Sequence, residues 1–589
     1  MKLQIIPKIL FSTFLFGFIT FLQVDAKVAK PGMIEAAQPD GTTVTLQLYG
    51  NFHSRMAFSE DGYPLIADDE NFYNYAVCGS DGNPVSSGVR ANSIKNRSGV
   101  ERSFLKSIDK EAVVNAFNKK YEPKPSTRTI GLVNTAFPVM GEQKSIAILV
   151  EFQNKEFTLE NPYDYFNRLL NEEGFDDYGA TGSAKDYFVS NSYGKFKPDF
   201  DLYGPVTLEH AMSYYGSRDD RYAYQMVIEA CRQLDDEIDF TQYDRDGDGV
   251  IDNIYIFYAG YGEADGGGPE TIWPHSWDID EAARGEKFYF DGVRVNHYAC
   301  SNELQYSDDS PDGIGSFCHE FSHVMGLPDL YSTVGSMAPT PGDWSILDIG
   351  SYNNNSRTPP NYSSFEKYSL DWIEPVLLNK PGQYTLEHFQ ESMTAYLVAT
   401  EKENEFFLLE NRQKKGFDTY LPGHGMLVWH IDFVQDRWDT NMVNTDAKHL
   451  FVDLVEADNE SKPSSYAADP FPGKNNITEF TCQTTPAFVS WSETPVAVEI
   501  IDIKESSEGI ITFTAVGCDE SGIDDILSEN EAEPFILKGN LVVAISGQAQ
   551  VYDLTGRKIA DALPGVPVTL SKGFYIVSDG KTNKKFAVN

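Results

Sequence analysis

Short apolar runs alternate with turn signals from Lys27 to about Ser98, as in Leu46-Gln47-Leu48-Tyr49-Gly50 and Asp81-Gly82-Asn83-Pro84, and predict a small antiparallel unit. A charged helical stretch follows from about Val100 to Lys120, and then a Pro-rich basic segment, Glu122 to Arg128, expected to be exposed and extended. Between Lys144 and Trp372 helix and strand patterns alternate. The segment opens on the buried-strand run Ile146-Ala147-Ile148-Leu149-Val150 and includes Ile254-Tyr255-Ile256-Phe257-Tyr258, which reads as α/β or α+β. From about Pro375 to Gly517 helix signals fade and short strands such as Phe406-Phe407-Leu408-Leu409 and Met426-Leu427-Val428-Trp429 predict a β-sandwich. An acidic linker at 518–534 leads to a strand-rich segment from Phe535 to Asn589 that ends in Lys-rich turns.

Composition sharpens this picture. The chain has 589 residues, enough for about four folding units, with 41% hydrophobic and 13% aromatic residues, which excludes a largely disordered protein. A formal net charge of -41 disfavours nucleic acid as a partner and suits hard cations such as calcium. Lys8 precedes an apolar run from Ile9 to Leu22, and Val24-Asp25-Ala26 offers small residues for cleavage, so residues 1–26 read as a secretory signal peptide. The run is too short for a membrane anchor, and the mature protein is expected to have none. Six cysteines are few for this length, so apolar cores rather than disulfides are expected to hold the units.

The chemistry centres on His319-Glu320-Phe321-Ser322-His323. On a helix this spacing sets two imidazoles on one face with a carboxylate beside the metal they would hold. Zinc takes such ligands in tetrahedral geometry and lowers the pKa of its bound water to roughly 7. A third protein ligand is required. Gly326 can end the helix and turn the chain so that Asp329 returns toward the metal, whereas no Glu occurs between Val324 and Phe365 and prolines separate the motif from Glu366. Asp343 and Asp348 remain alternative ligands or calcium-site residues. Glu320 would take a proton from the metal-bound water as it attacks a carbonyl and pass it to the leaving amine. Tyr331, Tyr352 and His275 are candidates to stabilise the oxyanion, with packing the favoured role for each.

At His319 to Asp329 the chain resembles secreted bacterial metalloproteases of the immune inhibitor A type, whose pattern H-E-x-x-H-x-x-G-L-P-D it matches. The resemblance extends from Gln38-Pro39-Asp40-Gly41 to about residue 516, through Gly182 to Phe188, Ile272 to Trp277, Glu410-Asn411-Arg412 and Trp429 to Asp432. It implies endopeptidase activity on proteins, a zymogen, zinc in the site and calcium in the structure. Such enzymes place a methionine turn beneath the metal, where this chain has Leu347, close to Met in volume. The C-terminal Gln550 to Lys558, with Lys572 to Val577, is similar to sorting domains of type IX secretion substrates, implying passage across an outer membrane to the exterior or the cell surface.

The expected fold is multidomain α+β: signal peptide 1–26, β-rich pro-segment 27–130, a zincin, metzincin-like zinc metalloprotease catalytic domain 136–374, β-sandwich 375–517, linker 518–534 and a small β sorting domain 535–589. A second metal site is expected in Asp244-Arg245-Asp246-Gly247-Asp248-Gly249-Val250-Ile251-Asp252. Its side-chain oxygens at Asp244, Asp246, Asp248 and Asp252, with the Val250 carbonyl, form a calcium-loop pattern without the twelfth-position Glu of an EF-hand. Latency could rest on Cys78, Asp40 or Asp61, and activation is expected between Lys120 and Ala136, with Arg128 the first choice. Expected partners are protein substrates, the chain's own pro-segment and the type IX machinery. The rival reading is a catalytically silent secreted protein whose β-rich part binds a surface or glycan. Intact His319, Glu320 and His323 weigh against it.

Overall fold

The computed structural model describes residues 25–50, 55–80, 82–120, 137–334, 339–402, 404–517 and short stretches between 535 and 588. The signal-peptide run before Asp25, the Pro-rich segment with Arg128, and the 518–534 linker lie outside the described residues. The chain forms a mixed α+β structure with several separate sheets, and divides into compact units at 1–518 and 519–589.

Ile34 to Arg90 form a six-stranded antiparallel meander whose inward residues include Val44, Leu46, Tyr73 and Tyr75. The expected helix over 100–120 is two helices, Gly99–Leu105 and Lys110–Lys120. Ser98 caps the first through a capping box with Glu101, and Asp109 accepts from Ala112 N at the start of the second, so two local caps outcompete one continuous helix.

The central sheet has the order Asp25–Ala26, His275–Asp278, His297–Leu304, Ile254–Tyr261, Gly141–Glu151, Phe196–Thr207. The last four strands are parallel; His275–Asp278 runs antiparallel to them, and Asp25–Ala26 pairs antiparallel with it at the edge. Strand Gly141–Glu151 is buried on both faces. Ala147 and Leu149 meet Phe317 and Phe321 of helix Ile314–Val324, while Ile146, Ile148 and Val150 face a second core with Val227, Ile228 and Cys231. Period-two alternation in an all-apolar run thus feeds two separate cores.

Helix Ile314–Val324 lies against the 351–356 loop backbone. A Cβ on Gly315 would sit 2.0 Å from Ser351 O, so only glycine permits this approach. Residues 376–517 form a five-stranded and a three-stranded sheet around Phe407, Val428, Phe480 and Ile500. The other face of the five-stranded sheet, through Leu408, Leu427 and Trp429, shares one core with helix Ile314–Val324. In the C-terminal unit, strands between Phe535 and Val588 form three- and four-stranded sheets. Lys584 and Lys585, expected in a turn, lie in strand Asn583–Val588, paired with Val577 and Ile576.

Candidate metal centre and the chain that crosses it

The amphipathic pattern of helix Ile314–Val324 sends Phe317 and Phe321 into an aromatic cluster with Phe200 and Phe188, and leaves His319, Glu320 and His323 on the opposite side. Gly326, at φ 89°, ends the helix: its N–H donates to His323 O and Leu327 N to Ser322 O. The turn brings Asp329 back beneath the histidines.

His319 Nε2, His323 Nε2 and Asp329 Oδ1 form a triangle with edges of 3.3 Å. Ligands roughly 2.0 Å from a tetrahedral centre stand roughly 3.3 Å apart, so the triangle has the dimensions of one tetrahedral face. His319 Nδ1 bonds Ile346 O at 2.7 Å and His323 Nδ1 bonds Leu327 O at 2.8 Å. A carbonyl only accepts, so each Nδ1 carries the proton and each Nε2 presents a lone pair to the triangle. Burial pushes the His319 pKa down and keeps that ring neutral. Asp329 Oδ1 is buried, 3.3 Å from both Nε2 atoms, with no other hydrogen-bond partner among the described residues. With both rings neutral, two lone pairs and a carboxylate oxygen would converge and repel one another unless a cation lay between them, so the residues present fit a divalent metal.

Asn441, from the β-rich region, fixes this arrangement. Its Nδ2 donates to Asp329 Oδ2 and its Oδ1 accepts from Asp329 N, both at 2.7 Å. Asp329 Oδ1 is thereby left for the triangle. Nearby, Trp438 Nε1 donates to Gly326 O at 3.0 Å. Sequence reading missed Asn441, which lies 112 residues downstream with no local pattern to mark it.

The alternatives considered from sequence have other duties. Asp348 accepts from Gly342 N and Ile349 N, and Glu366 caps its own helix at Ser363. Leu347, where the resemblance leads one to expect a methionine turn, is fully buried, and Leu330 N donates to its carbonyl. His275 is buried with its ring nitrogens at Trp273 O and Tyr298 Oη, and Tyr352 Oη donates to Val28 O.

The N-terminal chain crosses the site. Asp25 and Ala26 pair antiparallel with Ser276 and His275 on the sheet edge, and Lys27 N then donates to Glu320 Oε1 at 2.8 Å. Trp273 Nε1 holds Lys27 O at 2.7 Å. Of the residues considered for latency, Cys78 is exposed at a strand end, Asp40 bonds Thr42 and Arg90, and Asp61 pairs with Arg97. The residue at Glu320 is Lys27 instead. Arg55 of the same N-terminal region enters an acidic pocket, where it pairs with the buried carboxylates of Asp220 and Glu263 and lies 5.1 Å from the Trp273 ring.

In the second expected metal loop, carboxylate oxygens of Asp244, Asp246 and Asp248 lie within 4.8 Å of one another. Gly249 N and Val250 N donate into the loop to Asp244 and Asp248. Asp244 Oδ1 and Asp252 Oδ1 are buried without hydrogen-bond partners among the described residues, and burial, followed by the neighbouring aspartates, pushes the Asp252 carboxyl up to about 7. Orphaned oxygens and crowded like charge fit a bound hard cation. A further cluster of Glu209, His210 and Glu229 was not anticipated. No helix among the described residues is long and apolar enough to cross a membrane.

Residues 141–377 match the family model for the immune inhibitor A peptidase M6 catalytic domain. The pre-pro-metalloprotease PrtV of Vibrio cholerae serotype O1 (strain M66-2) is 29% identical over 301 residues, covering 42% of this chain and 31% of that protein. Immune inhibitor A of Bacillus thuringiensis subsp. alesti is 26% identical over 273 residues, covering 38% of this chain and 39% of the relative. The alignments thus span about a third of the length of these curated relatives. These likenesses, over the segment that carries the His-Glu-His cluster, support a place for this chain among the metalloproteases.

Proposed function

We propose that the chain is a zinc-dependent endopeptidase made as a zymogen, with His319, His323 and Asp329 as the metal ligands and Glu320 as general base. The observation that carries this reading is the buried triangle of two imidazole lone pairs and one carboxylate oxygen, with Glu320 beside it. A zinc ion held there supplies a Lewis acid and a water acidified to a pKa of roughly 7. Glu320 holds the proton taken from the attacking water and delivers it to the departing amine. The bond from Lys27 N to Glu320 Oε1 supports that role, since a departing amine would need the same reach to the carboxylate. The sheet edge His275–Asp278 would orient an extended peptide by main-chain pairing, as it pairs with Asp25 and Ala26 before the leader is removed.

Latency follows from the same contacts. While Lys27 and Val28 lie at the site, Lys27 N engages Glu320, its Nζ engages Ser316, and the two carbonyls are held by Trp273 and Tyr352. Cutting in the 120–136 region would free the N-terminal sheet to leave. Calcium in the 244–252 loop is proposed as structural, held by Asp244, Asp246, Asp248, the Val250 carbonyl and Asp252. Export through a signal peptide, then across an outer membrane by the 535–589 unit, is proposed from the resemblance of its sequence. Removing residues 535–589 should then leave the protein inside the cell envelope.

The test is zinc content with casein hydrolysis for activated wild type and Glu320→Ala. Both proteins should hold about one zinc and only wild type should cut. Absence of zinc from both would favour the silent binding protein.

A further inference from the structure

Lys27 is fully buried, although lysine rarely is. Its Nζ donates to Ser316 Oγ at 2.6 Å, lies 3.4 Å from Ser356 Oγ and stands 3.7 Å over the Tyr352 ring. Ser316 Oγ in turn donates to Asp312 Oδ2 at 2.5 Å, so the hydroxyl relays the ammonium charge to a buried carboxylate. Asp312 is held in place by Gln305 Nε2 and by Gly313 N. Behind it Asp265, 3% exposed, has no hydrogen-bond partner on either carboxylate oxygen among the described residues, and its charge acts on Asp312. A buried ammonium is costly unless hydrogen bonds and opposite charge replace its water. This chamber supplies hydroxyls, an aromatic face and two carboxylates.

The groups that receive the ammonium, Asp265, Asp312, Ser316, Tyr352 and Ser356, all belong to the segment that matches the peptidase family, and none to the N-terminal sheet. Departure of the N-terminal chain would therefore empty the chamber and leave two buried carboxylates without a cation. The chamber also has a defined place relative to the chemistry. Lys27 N bonds Glu320 Oε1, the reach a departing amine would need, and the Lys27 and Val28 carbonyls are held by Trp273 Nε1 and Tyr352 Oη. Lys27 thus sits as the residue immediately after a scissile bond would.

Resting on the peptidase reading above, we infer that this chamber is the specificity pocket for the residue following the cleaved bond, and that it selects lysine, so that the activated enzyme cuts on the amino side of lysine. A four-carbon stem is needed to bring the charge to Ser316. An apolar residue leaves Asp312 and Asp265 uncompensated, and an acidic one adds a third negative charge. Arginine matches in charge, but its wide planar head must enter a space closed by two serines and a ring, which ranks it second.

The test uses the full-length chain activated by limited proteolysis and quenched peptides that differ only at the residue after the scissile bond. We expect kcat/KM for lysine to exceed that for leucine by at least about tenfold, with glutamate slowest. Asp312→Asn and, separately, Asp265→Asn should shrink the lysine-to-leucine ratio, each checked for native unfolding temperature. Peptides cut at equal rates, or a lysine preference unaltered in both folded variants, would overturn the pocket and leave the peptidase reading intact. If no peptide is cut, the peptidase reading falls instead. The pocket is then judged by binding of the hexapeptide of residues 27–32 against versions beginning with leucine or glutamate. Tighter binding of the lysine form by at least about tenfold upholds it, and equal binding overturns it.

Discussion

Asn441 grips Asp329 with two hydrogen bonds of 2.7 Å, one to the carboxylate and one from the main chain, across 112 residues of sequence. The matched peptidase segment ends at residue 377, so one positioning residue of the proposed metal site comes from the β-rich region beyond it. The shared core of Leu408, Leu427 and Trp429 with Phe317 and Phe321 makes that reach possible. Asn441→Ala should weaken zinc binding about 10- to 100-fold, with activity restored by added zinc. Competition against a chelator of known affinity measures this. Unchanged affinity would remove Asn441 from the site.

Arg55, beside strand Met56–Ser59 of the N-terminal sheet, reaches between the buried carboxylates of Asp220 and Glu263. Arg55→Ala leaves two buried acids without their cation, a loss of about 3 to 5 kcal/mol at the contact. The unprocessed variant should cut a peptide substrate where unprocessed wild type does not. Full latency in the variant would show that the contacts of Lys27 suffice alone.

Asp469 links the β-rich region to the loop beside His319, its Oδ2 accepting from Trp344 Nε1 at 2.9 Å. Burial pushes this carboxyl up to about 8. The folded state therefore holds a proton that the unfolded chain releases near its ordinary pKa of about 4. The associated stability is complete below about 4 and is lost as pH rises to about 8. Asp469→Asn keeps an acceptor for Trp344 and should raise the unfolding temperature by a few degrees at pH above about 8, with no gain near pH 4. An equal gain at both pH values would contradict the assignment.

Calcium removal should lower the unfolding temperature, because the buried oxygens of Asp244 and Asp252 would again face the other aspartates without a cation. Asp248→Ala should abolish the calcium response. A thermal scan with and without a calcium chelator reads both effects.

Leu347→Met should change stability by less than about 1.5 kcal/mol and leave zinc affinity unaltered. The reason is that His319 is oriented by the Ile346 carbonyl, a main-chain group indifferent to the neighbouring side chain. A marked gain in zinc affinity would show that the methionine position matters here.

What was legible in the sequence was local. The strand Gly141–Glu151, the helix carrying His319 and His323, and the turn at Gly326 each follow from a short pattern and a backbone rule. What was not legible joins distant segments. Lys27 and Glu320 are 293 residues apart and Asn441 and Asp329 are 112 apart, and no periodicity encodes such contacts. The latency candidates Cys78, Asp40 and Asp61 rest on residue type alone, whereas the contacts of Lys27 with Glu320 and Ser316 carry no local mark in the sequence. The break at 106–109 was missed because charged residues there fit a helix surface as well as a turn.

The central claim is that His319, His323 and Asp329 hold a catalytic zinc, and anomalous X-ray scattering at the zinc edge tests it most directly. A single strong peak about 2.0 to 2.2 Å from His319 Nε2, His323 Nε2 and Asp329 Oδ1 is the predicted result. A zinc-loaded crystal with no peak there, or with its peak at Glu209, His210 and Glu229, would contradict it.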